Sequence, residues 1–167
     1  MNMDWYLIHT KPRQENRALQ NLEQQGYECY LPTLRAERLR QGMLEVADEA
    51  LFPRYLFIRL GQGDSAKSWA PIRSTVGVSR LVSFGKEPAK VAESLINLLQ
   101  AQENSVRIEP KRLYKAGERV RLTEGAFAGL EGVYQMADGE HRAMVLIELL
   151  SKSVTLRATT NSLRKVN

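Results

Sequence analysis

The sequence predicts an α+β protein, with an N-terminal α/β sandwich built on a mainly antiparallel sheet and a small C-terminal domain after it. Three observations predict this organisation. Short apolar segments rich in aromatic and β-branched residues alternate with helical periodicity over residues 1–102. A polar segment with one proline occupies residues 103–114, which is a linker composition. A strand, a glycine-rich turn and a second strand then follow within residues 115–167.

The N-terminal elements follow from local composition. Residues 5–10 are aromatic and β-branched, which predicts a strand, and Pro12 suits the first turn of the helix that follows. Gly26 ends this helix, and residues 27–31 predict a second strand. Residues 33–48 are charged around a central Gln-Gly pair, which predicts a projecting hairpin. The remaining elements, in chain order, are a strand over 50–60, a short helix over 65–73, a strand over 78–84 and an amphipathic helix over 88–102.

The C-terminal segment fits two different folds. Residues 118–123 alternate between apolar and charged side chains, and the glycines after them predict a tight turn before a second strand. Leu130 and Tyr134 nevertheless lie four residues apart, on one face of a helix. Residues 140–152 are rich in good helix formers, and Asp138 could cap such a helix, although their apolar residues also alternate as in a strand. Tertiary contacts must therefore decide between the two folds.

The composition limits the function classes open to this chain. The net charge of +5 favours anionic partners only weakly. No apolar run approaches the roughly 20 residues that span a bilayer, and the N-terminus does not resemble a signal peptide, so we expect a cytoplasmic protein without membrane contact. Cys29 is the only cysteine and His9 and His141 are the only histidines, which argues against a zinc site. No nucleophile–base grouping or phosphate-binding glycine loop occurs, so we expect neither an enzyme nor a metal or cofactor.

Five segments spread over the chain carry a family resemblance. They are Trp5-Tyr6-Leu7-Ile8, the basic helix with Lys11 and Arg17, Leu51-Phe52-Pro53-Arg54-Tyr55-Leu56-Phe57, Arg73-Ser74-Thr75-Val76-Gly77-Val78, and a segment over 117–134 that resembles a KOW motif. Together they resemble the bacterial NusG family of transcription elongation factors. Within this family, residues 123–127 and 138–142 are closer to the specialised RfaH branch than to NusG itself. Glu49 matches the acidic position that pairs with Arg142 in that branch.

This resemblance implies a fold, a set of partners and a mechanism. An N-terminal domain of the NusG type would bind RNA polymerase at the clamp helices of the β′ subunit and at the β subunit, and would suppress pausing. RfaH-type members are also recruited by a pause element in the exposed non-template DNA strand. Their KOW-like C-terminal domain changes from an autoinhibitory α-helical hairpin to a five-stranded β-barrel that can recruit the ribosome, with ribosomal protein S10 as the candidate contact. The resemblance thus implies a monomeric, operon-specific elongation and antitermination factor without a cofactor.

The predicted sites form three sets of residues. Alternation along the 51–57 segment can give one face to the core and the other to a partner. The polymerase-binding candidates are Leu7, His9, Phe52, Pro53, Tyr55, Phe57, Phe84 and Ile96. A polar stripe at helical spacing, with a neighbouring loop, suits phosphate and base contacts. The DNA-binding candidates are Lys11, Gln14, Arg17, Asn21, Arg73, Ser74 and Thr75. From the resemblance, the interdomain candidates are Glu49, Leu130, Tyr134, Arg142, Leu146 and Leu149.

Simpler interpretations remain open for each set. The aromatic residues around Phe52 can all belong to the core, and the polar stripe can be an ordinary solvated face. Val76 stands where RfaH-type proteins usually carry arginine, and Ser68-Trp69 is more like NusG, so we expect a DNA specificity different from that of arginine-bearing relatives. The chain could also be a general NusG-like factor whose C-terminal domain is permanently β, or a KOW-type RNA-binding protein of the ribosome.

Overall fold

The computed structural model describes residues 3–62, 67–108, 130–134, 136 and 138–151. Strand β1 (Met3–Thr10) is the centre of a five-stranded sheet, with β5 (Tyr55–Gly61) on one side and β6 (Val78–Leu81) on the other. Strand β2 (Glu28–Tyr30) extends the sheet beyond β5, and β9 (Lys90–Val91) also pairs with β1. Each of these pairs is antiparallel, which confirms the predicted mixed α/β fold with an antiparallel sheet.

Both faces of this sheet are covered, because successive side chains of a strand point to opposite sides. Tyr6 and Ile8 pack on one side in a cluster with helix α1 (Glu15–Gln24), and we name this side the α1 face. Leu7 packs on the other side in a cluster with helix α3 (Glu93–Ile108), and this is the α3 face. The sheet is therefore largely apolar on both sides, because it is a central layer that packs against a helix on each face.

A two-stranded hairpin stands apart from this sheet. Strands β3 (Thr33–Arg40) and β4 (Met43–Ala50) pair along their whole length. They are joined by Gln41 and Gly42, whose φ angles of 55° and 79° are both positive. Positive φ at both central residues is the geometry of a tight hairpin turn, and glycine adopts it without strain. The hairpin predicted over 33–48 is thus confirmed and extends to Ala50.

The strand predicted over 50–60 is not continuous. Residues 51–54 form a turn between β4 and β5, and the backbone N–H of Tyr55 closes it by donating to the carbonyl of Phe52 at 3.0 Å. Pro53 has no N–H for a strand ladder, and Arg54 has a left-handed φ of 73°. These two residues interrupt an otherwise apolar segment, so the prediction of one strand was wrong.

The helix predicted over 88–102 lies later in the chain. Strand β8 (Glu87–Pro88) pairs instead with β7 (Ser83–Phe84), so α3 starts only at Glu93. At its other end α3 reaches Ile108, and so it includes the first six residues of the segment 103–114 that we predicted as a linker. Residues 109–114 lie outside the described part of the chain.

Two further elements are shorter than predicted. The strand predicted over 78–84 is divided after Leu81, where β6 ends. The helix predicted over 65–73 is the short helix α2 (Ala70–Arg73), while residues 63–66 lie outside the described residues. Pro71 suits the first turn of α2, because a backbone N–H there would have no partner within the helix. Since proline has no N–H to donate to a preceding turn, the helix does not continue towards residue 65.

The described part of the C-terminal segment is helical. Helix α4 covers Leu130–Val133, and residues 139–151 are also helical and are named α5. Asp138 caps α5, since its Oδ1 accepts a hydrogen bond from the backbone N–H of Glu140 at 3.0 Å. The strand predicted over 118–123 lies outside the described residues. No helix among the described residues is long and apolar enough to cross a membrane.

Candidate functional site

The α3 face carries a continuous apolar patch at its centre. Leu7 on β1 and Phe57 on β5 lie directly opposite each other in register and are fully buried. Phe52, in the 51–54 turn, packs edge-on against Phe57 with 6.5 Å between ring centroids. Ile96 of α3 completes the patch. The structure therefore brings four predicted polymerase-binding residues into one surface, which we name the apolar patch: Leu7, Phe52, Phe57 and Ile96.

Helices α4 and α5 cover the apolar patch. The buried residues that α4, the residue after it and α5 contribute to the same cluster are Val133, Tyr134, Leu146, Leu149 and Leu150. The three leucines follow the spacing of one helical face, while Met144 on another side of α5 is 61% exposed. Fully burying a leucine side chain stabilises by roughly 1.5–3 kcal/mol. The apolar contact is thus a large part of the energy that holds α5 on the sheet.

The start of α5 lies directly against the 51–54 turn. A Cβ atom placed on Gly139 would lie 2.5 Å from Cγ of Pro53, which is well inside van der Waals contact. Pro53, another predicted polymerase-binding residue, is therefore also next to the C-terminal segment. A side chain at position 139 would push the start of α5 away from this turn.

Three predicted residues lie at the edge of the apolar patch. Tyr55 and Phe84 are half-buried and pack against its cluster. His9 lies beside Tyr55, with 5.1 Å between ring centroids. Burial, and then the positive charges of Arg54 and Arg80, hold the pKa of His9 below its ordinary value of 6.5. At neutral pH His9 is therefore uncharged and compatible with an apolar surface.

Arg142 of α5 is buried at the base of the hairpin. Its side chain is only 1% exposed, and its Nη2 donates to Oε1 of Glu49 at 3.0 Å. Its Nε donates to the carbonyl oxygen of Leu51 and its Nη1 to that of Met136, both at 2.7 Å. The guanidinium is always charged, so each of these acceptors offsets part of the cost of burying it.

Some interdomain residues could have been predicted and others could not. Val133 and Leu150 were not predicted, yet they are buried with the predicted residues. Leu150 could have been predicted, because it follows Leu146 at the four-residue spacing that marks one helical face. Val133 had no such signal, because its neighbours along the chain fit strand and helix equally. Leu130, a predicted interdomain residue, begins α4, and its side chain is outside what the structure describes.

A second surface joins α1 to the loop over 73–77. Gly77 has a φ of 96°, and a Cβ on it would lie 2.8 Å from the backbone nitrogen of Ala18, so the loop packs tightly on the helix. Nδ2 of Asn21 donates to the carbonyl of Val76 at 3.1 Å. The backbone N–H of Lys11 donates to the carbonyl of Gly77 at 2.9 Å. These contacts bring the two predicted DNA-binding segments together.

The candidate DNA-binding side chains differ in accessibility. Thr75 is buried, and its Oγ1 accepts from Nε2 of Gln25 at 2.8 Å and donates to the carbonyl of Pro71 at 2.9 Å. Thr75 therefore holds the loop in place and has no free hydroxyl for a ligand. Gln14 and Asn21 are half-buried. The exposed members of the set are Lys11, Arg17, Arg73 and Ser74.

Comparison with known proteins identifies the family of this chain. The family described as "Transcription termination factor nusG" matches residues 3–100, from β1 into α3. The chain belongs to the NusG family. It is 29% identical over 149 positions to the transcription termination/antitermination protein NusG of Thermus thermophilus, covering 79% of this chain and 81% of the relative.

Other NusG proteins also match over most of the chain. The NusG of Helicobacter pylori is 27% identical over 176 positions, which cover 98% of this chain and 99% of the relative. The NusG of Campylobacter jejuni is 31% identical over 144 positions, covering 80% of each chain. A solved structure described as "Domain interaction in Thermotoga maritima NusG" aligns with a TM-score of 0.40 and 23% identity. The alignment covers 56% of this chain and 53% of the chain in that structure. The family match and these sequence relatives make the chain a NusG-like transcription termination/antitermination factor.

Proposed function

We propose that this NusG-family protein is an operon-specific elongation and antitermination factor of the RfaH type, held inactive by its own C-terminal helices. Its polymerase-binding surface is the apolar patch, and the target is the β′ clamp helices of RNA polymerase, with the β subunit across the cleft. Binding there keeps the clamp closed and suppresses pausing. The observation that carries this proposal is the burial of the apolar patch beneath α4 and α5.

Burial of the patch makes polymerase binding conditional. An exposed apolar patch is a common mark of a partner site, and two occupants cannot share it. If only a small fraction of the molecules is uncovered, the apparent affinity for polymerase falls by that fraction. A general NusG-like factor would bind every elongation complex without this step. The coverage by α4 and α5 therefore favours a factor that needs a trigger.

We assign the trigger to the second surface, on α1 and the 73–77 loop, as a contact with the non-template DNA strand. Lys11 and Arg17 are exposed on or beside α1, and Arg73 is exposed at the start of the loop. Basic side chains on a rigid support position a phosphate backbone, while base contacts give specificity. Val76 is 53% exposed in this surface and offers no side-chain donor, which supports a DNA element different from that of arginine-bearing relatives.

The released C-terminal segment is proposed to refold as a five-stranded KOW-like barrel and to recruit the ribosome through ribosomal protein S10. Its sequence supports a second fold, because Val145, Ile147 and Leu149 alternate as they would in a strand. In α5 these three differ in burial, since Leu149 is buried and the other two are half-buried. Loss of the contact with the α3 face would remove the packing that favours the helix.

Binding of the full chain to purified elongation complexes tests this proposal. Glu49→Gln removes the carboxylate that pairs with Arg142. Asp48→Asn makes the same change of charge one position away, in an exposed pair with Arg35. We expect Glu49→Gln to bind complexes without a pause element about tenfold to 100-fold more tightly than wild type does, because a docking loss of about 2–3 kcal/mol uncovers correspondingly more molecules. Asp48→Asn should behave like wild type.

Two outcomes would indicate a different function for this chain. Equally tight binding of wild type and Glu49→Gln to every elongation complex would indicate a general NusG-like factor. Binding to ribosomes or RNA without affinity for elongation complexes would indicate a KOW-type RNA-binding protein.

A further inference from the structure

A cleft of about 430 Å³ lies between α2, β6 and the β7–β8 hairpin. Trp69, Ile72 and Leu81 line it and also pack with the α1-face cluster, so the cleft is separate from the apolar patch that α4 and α5 cover. Its volume lies in the range of small-ligand sites, which is roughly 300–1,000 Å³. Its other polar lining residues are Arg73, Ser83 and Lys86.

Trp69 forms a fixed aromatic wall of this cleft. Its Nε1 donates to the carbonyl of Gly61 at 2.9 Å. Its ring meets that of Tyr6 edge-on, with 5.0 Å between centroids. The indole is half-buried and is held in place before any ligand arrives. A preformed flat apolar wall of this kind suits stacking of a planar ring, because little side-chain entropy remains to be lost.

The charged side chains of the cleft are both positive. Arg73 and Lys86 are exposed, and neither has an ion-pair partner among the described residues. Ser83 adds a hydroxyl, and no carboxylate lines the cleft. The lining therefore fits a ligand that combines a flat ring with an anionic group.

We propose that this cleft binds one nucleotide of a single-stranded nucleic acid, with the base stacked on Trp69 and the phosphate held by Arg73 and Lys86. The proposal rests on the proposed DNA contact, because Arg73 is shared with the 73–77 loop. A strand that crosses α1 and this loop can continue into the cleft. Stacking of this type accepts any base, so the cleft adds affinity and fixes the path of the strand without reading sequence.

Fluorescence of Trp69 in the full chain gives a direct test. The chain has two tryptophans, and Trp5 is buried on the α3 face, so Trp5→Phe leaves Trp69 as the only reporter. Titration uses a mixed-sequence single-stranded DNA of about ten nucleotides, a length within the usual site sizes. We expect saturable quenching of Trp69. An abasic strand of the same length should bind more weakly and leave the fluorescence unchanged, because it has phosphates but no bases.

Charge variants separate the cleft from the rest of the DNA surface. Lys86→Gln should weaken binding about threefold to tenfold and reduce the salt slope by about 0.7, as expected for one lost phosphate contact. Lys90→Gln is the matched control, because Lys90 pairs with Asp4 at 3.2 Å outside the cleft. It should bind like wild type. Arg17→Gln should weaken binding but leave the quenching at saturation intact.

The outcomes distinguish this proposal from the proposed function. If Arg17→Gln weakens binding while Lys86→Gln and the Trp69 fluorescence do not respond, the DNA surface stands and the cleft proposal is overturned. If no oligonucleotide binds in any titration, the proposed DNA contact fails together with the cleft. Quenching by an acidic peptide in place of the oligonucleotide would assign the cleft to a protein partner and would also overturn the proposal.

Discussion

Glu49 and Arg142 are 93 positions apart in the chain, yet Oε1 of the first lies 3.0 Å from Nη2 of the second. Strand β4 and helix α5 thus meet through opposite charges at the base of the hairpin. The carbonyl of Leu51, in the adjacent turn, also accepts from Arg142. A buried ion pair of this kind gives little net stability, but loss of one partner leaves an uncompensated charge. The pair therefore specifies where α5 docks, while the leucines supply most of the attraction.

The first prediction is that removing one partner weakens docking more than removing both. Glu49→Gln leaves the guanidinium of Arg142 without its carboxylate, and we expect α5 to be less stably docked by about 2–3 kcal/mol. Replacing both, as Glu49→Leu with Arg142→Met, should recover part of this loss because no buried charge remains, although the carbonyls of Leu51 and Met136 lose a donor. Amide hydrogen exchange over 139–151 measures the free energy of opening. Equal protection in the single and double variants would contradict the role given to the pair.

The second prediction concerns the apolar contact. Leu146→Ala removes a buried side chain of α5 from the cluster with the apolar patch, and we expect docking to weaken by about 2–5 kcal/mol. Met144→Ala is the control, since Met144 is on the same helix and 61% exposed. Its effect should be small. NMR signals of 139–151 report the undocked fraction, and an equal shift in both variants would show that the apolar contact does not hold α5.

The sheet and the hairpin were predictable because their signals are local. The aromatic and β-branched composition of 5–10 and the Gln-Gly turn at 41–42 each predict their structure without knowledge of distant contacts. The turn at 51–54 was missed because apolar residues continue on both sides of it, so composition alone indicates one strand. Strands β8 and β9 were missed because two-residue strands show no periodicity, and their pairing depends on β7 and β1.

The candidate sites likewise combine features with a local sequence signal and features that depend on distant contacts. The spacing of Leu146 and Leu149 fits a helical face, while Val145, Ile147 and Leu149 equally alternate as in a strand. Only contact with the α3 face selects the helix. Sequence spacing placed Thr75 beside Arg73 and could not show that Gln25 and Pro71 enclose its hydroxyl. Lys86 carried no signal in the sequence, because its place in the same cleft as Trp69 depends on the pairing of β7 with β8.

The third prediction concerns the DNA surface. Arg17→Gln should reduce recruitment to a paused elongation complex that carries a recognised element, because an exposed cation on α1 is lost. The salt slope should fall by about 0.7 if Arg17 contacts one phosphate of a single strand. Arg35→Gln on β3 removes the same charge from an exposed pair with Asp48 and is the control. Equal losses in the two variants would show a general charge effect and no specific contact.

The fourth prediction is a pH dependence that comes from His9. Burial and the nearby Arg54 and Arg80 hold the pKa of His9 in the folded chain below 6.5, so near pH 6 the unfolded chain binds more protons than the folded chain. The stability contributed by neutral His9 is therefore fully present above 6.5 and is lost as the pH falls from 6.5 towards the lower folded pKa. Urea unfolding between about pH 8 and pH 5 should show a shallower loss of stability for His9→Gln than for wild type. His141→Gln removes a largely exposed histidine and is the control for the loss of one imidazole. If wild type and His9→Gln lose stability in parallel on acidification, His9 does not couple protonation to the stability of the sheet on which the apolar patch lies.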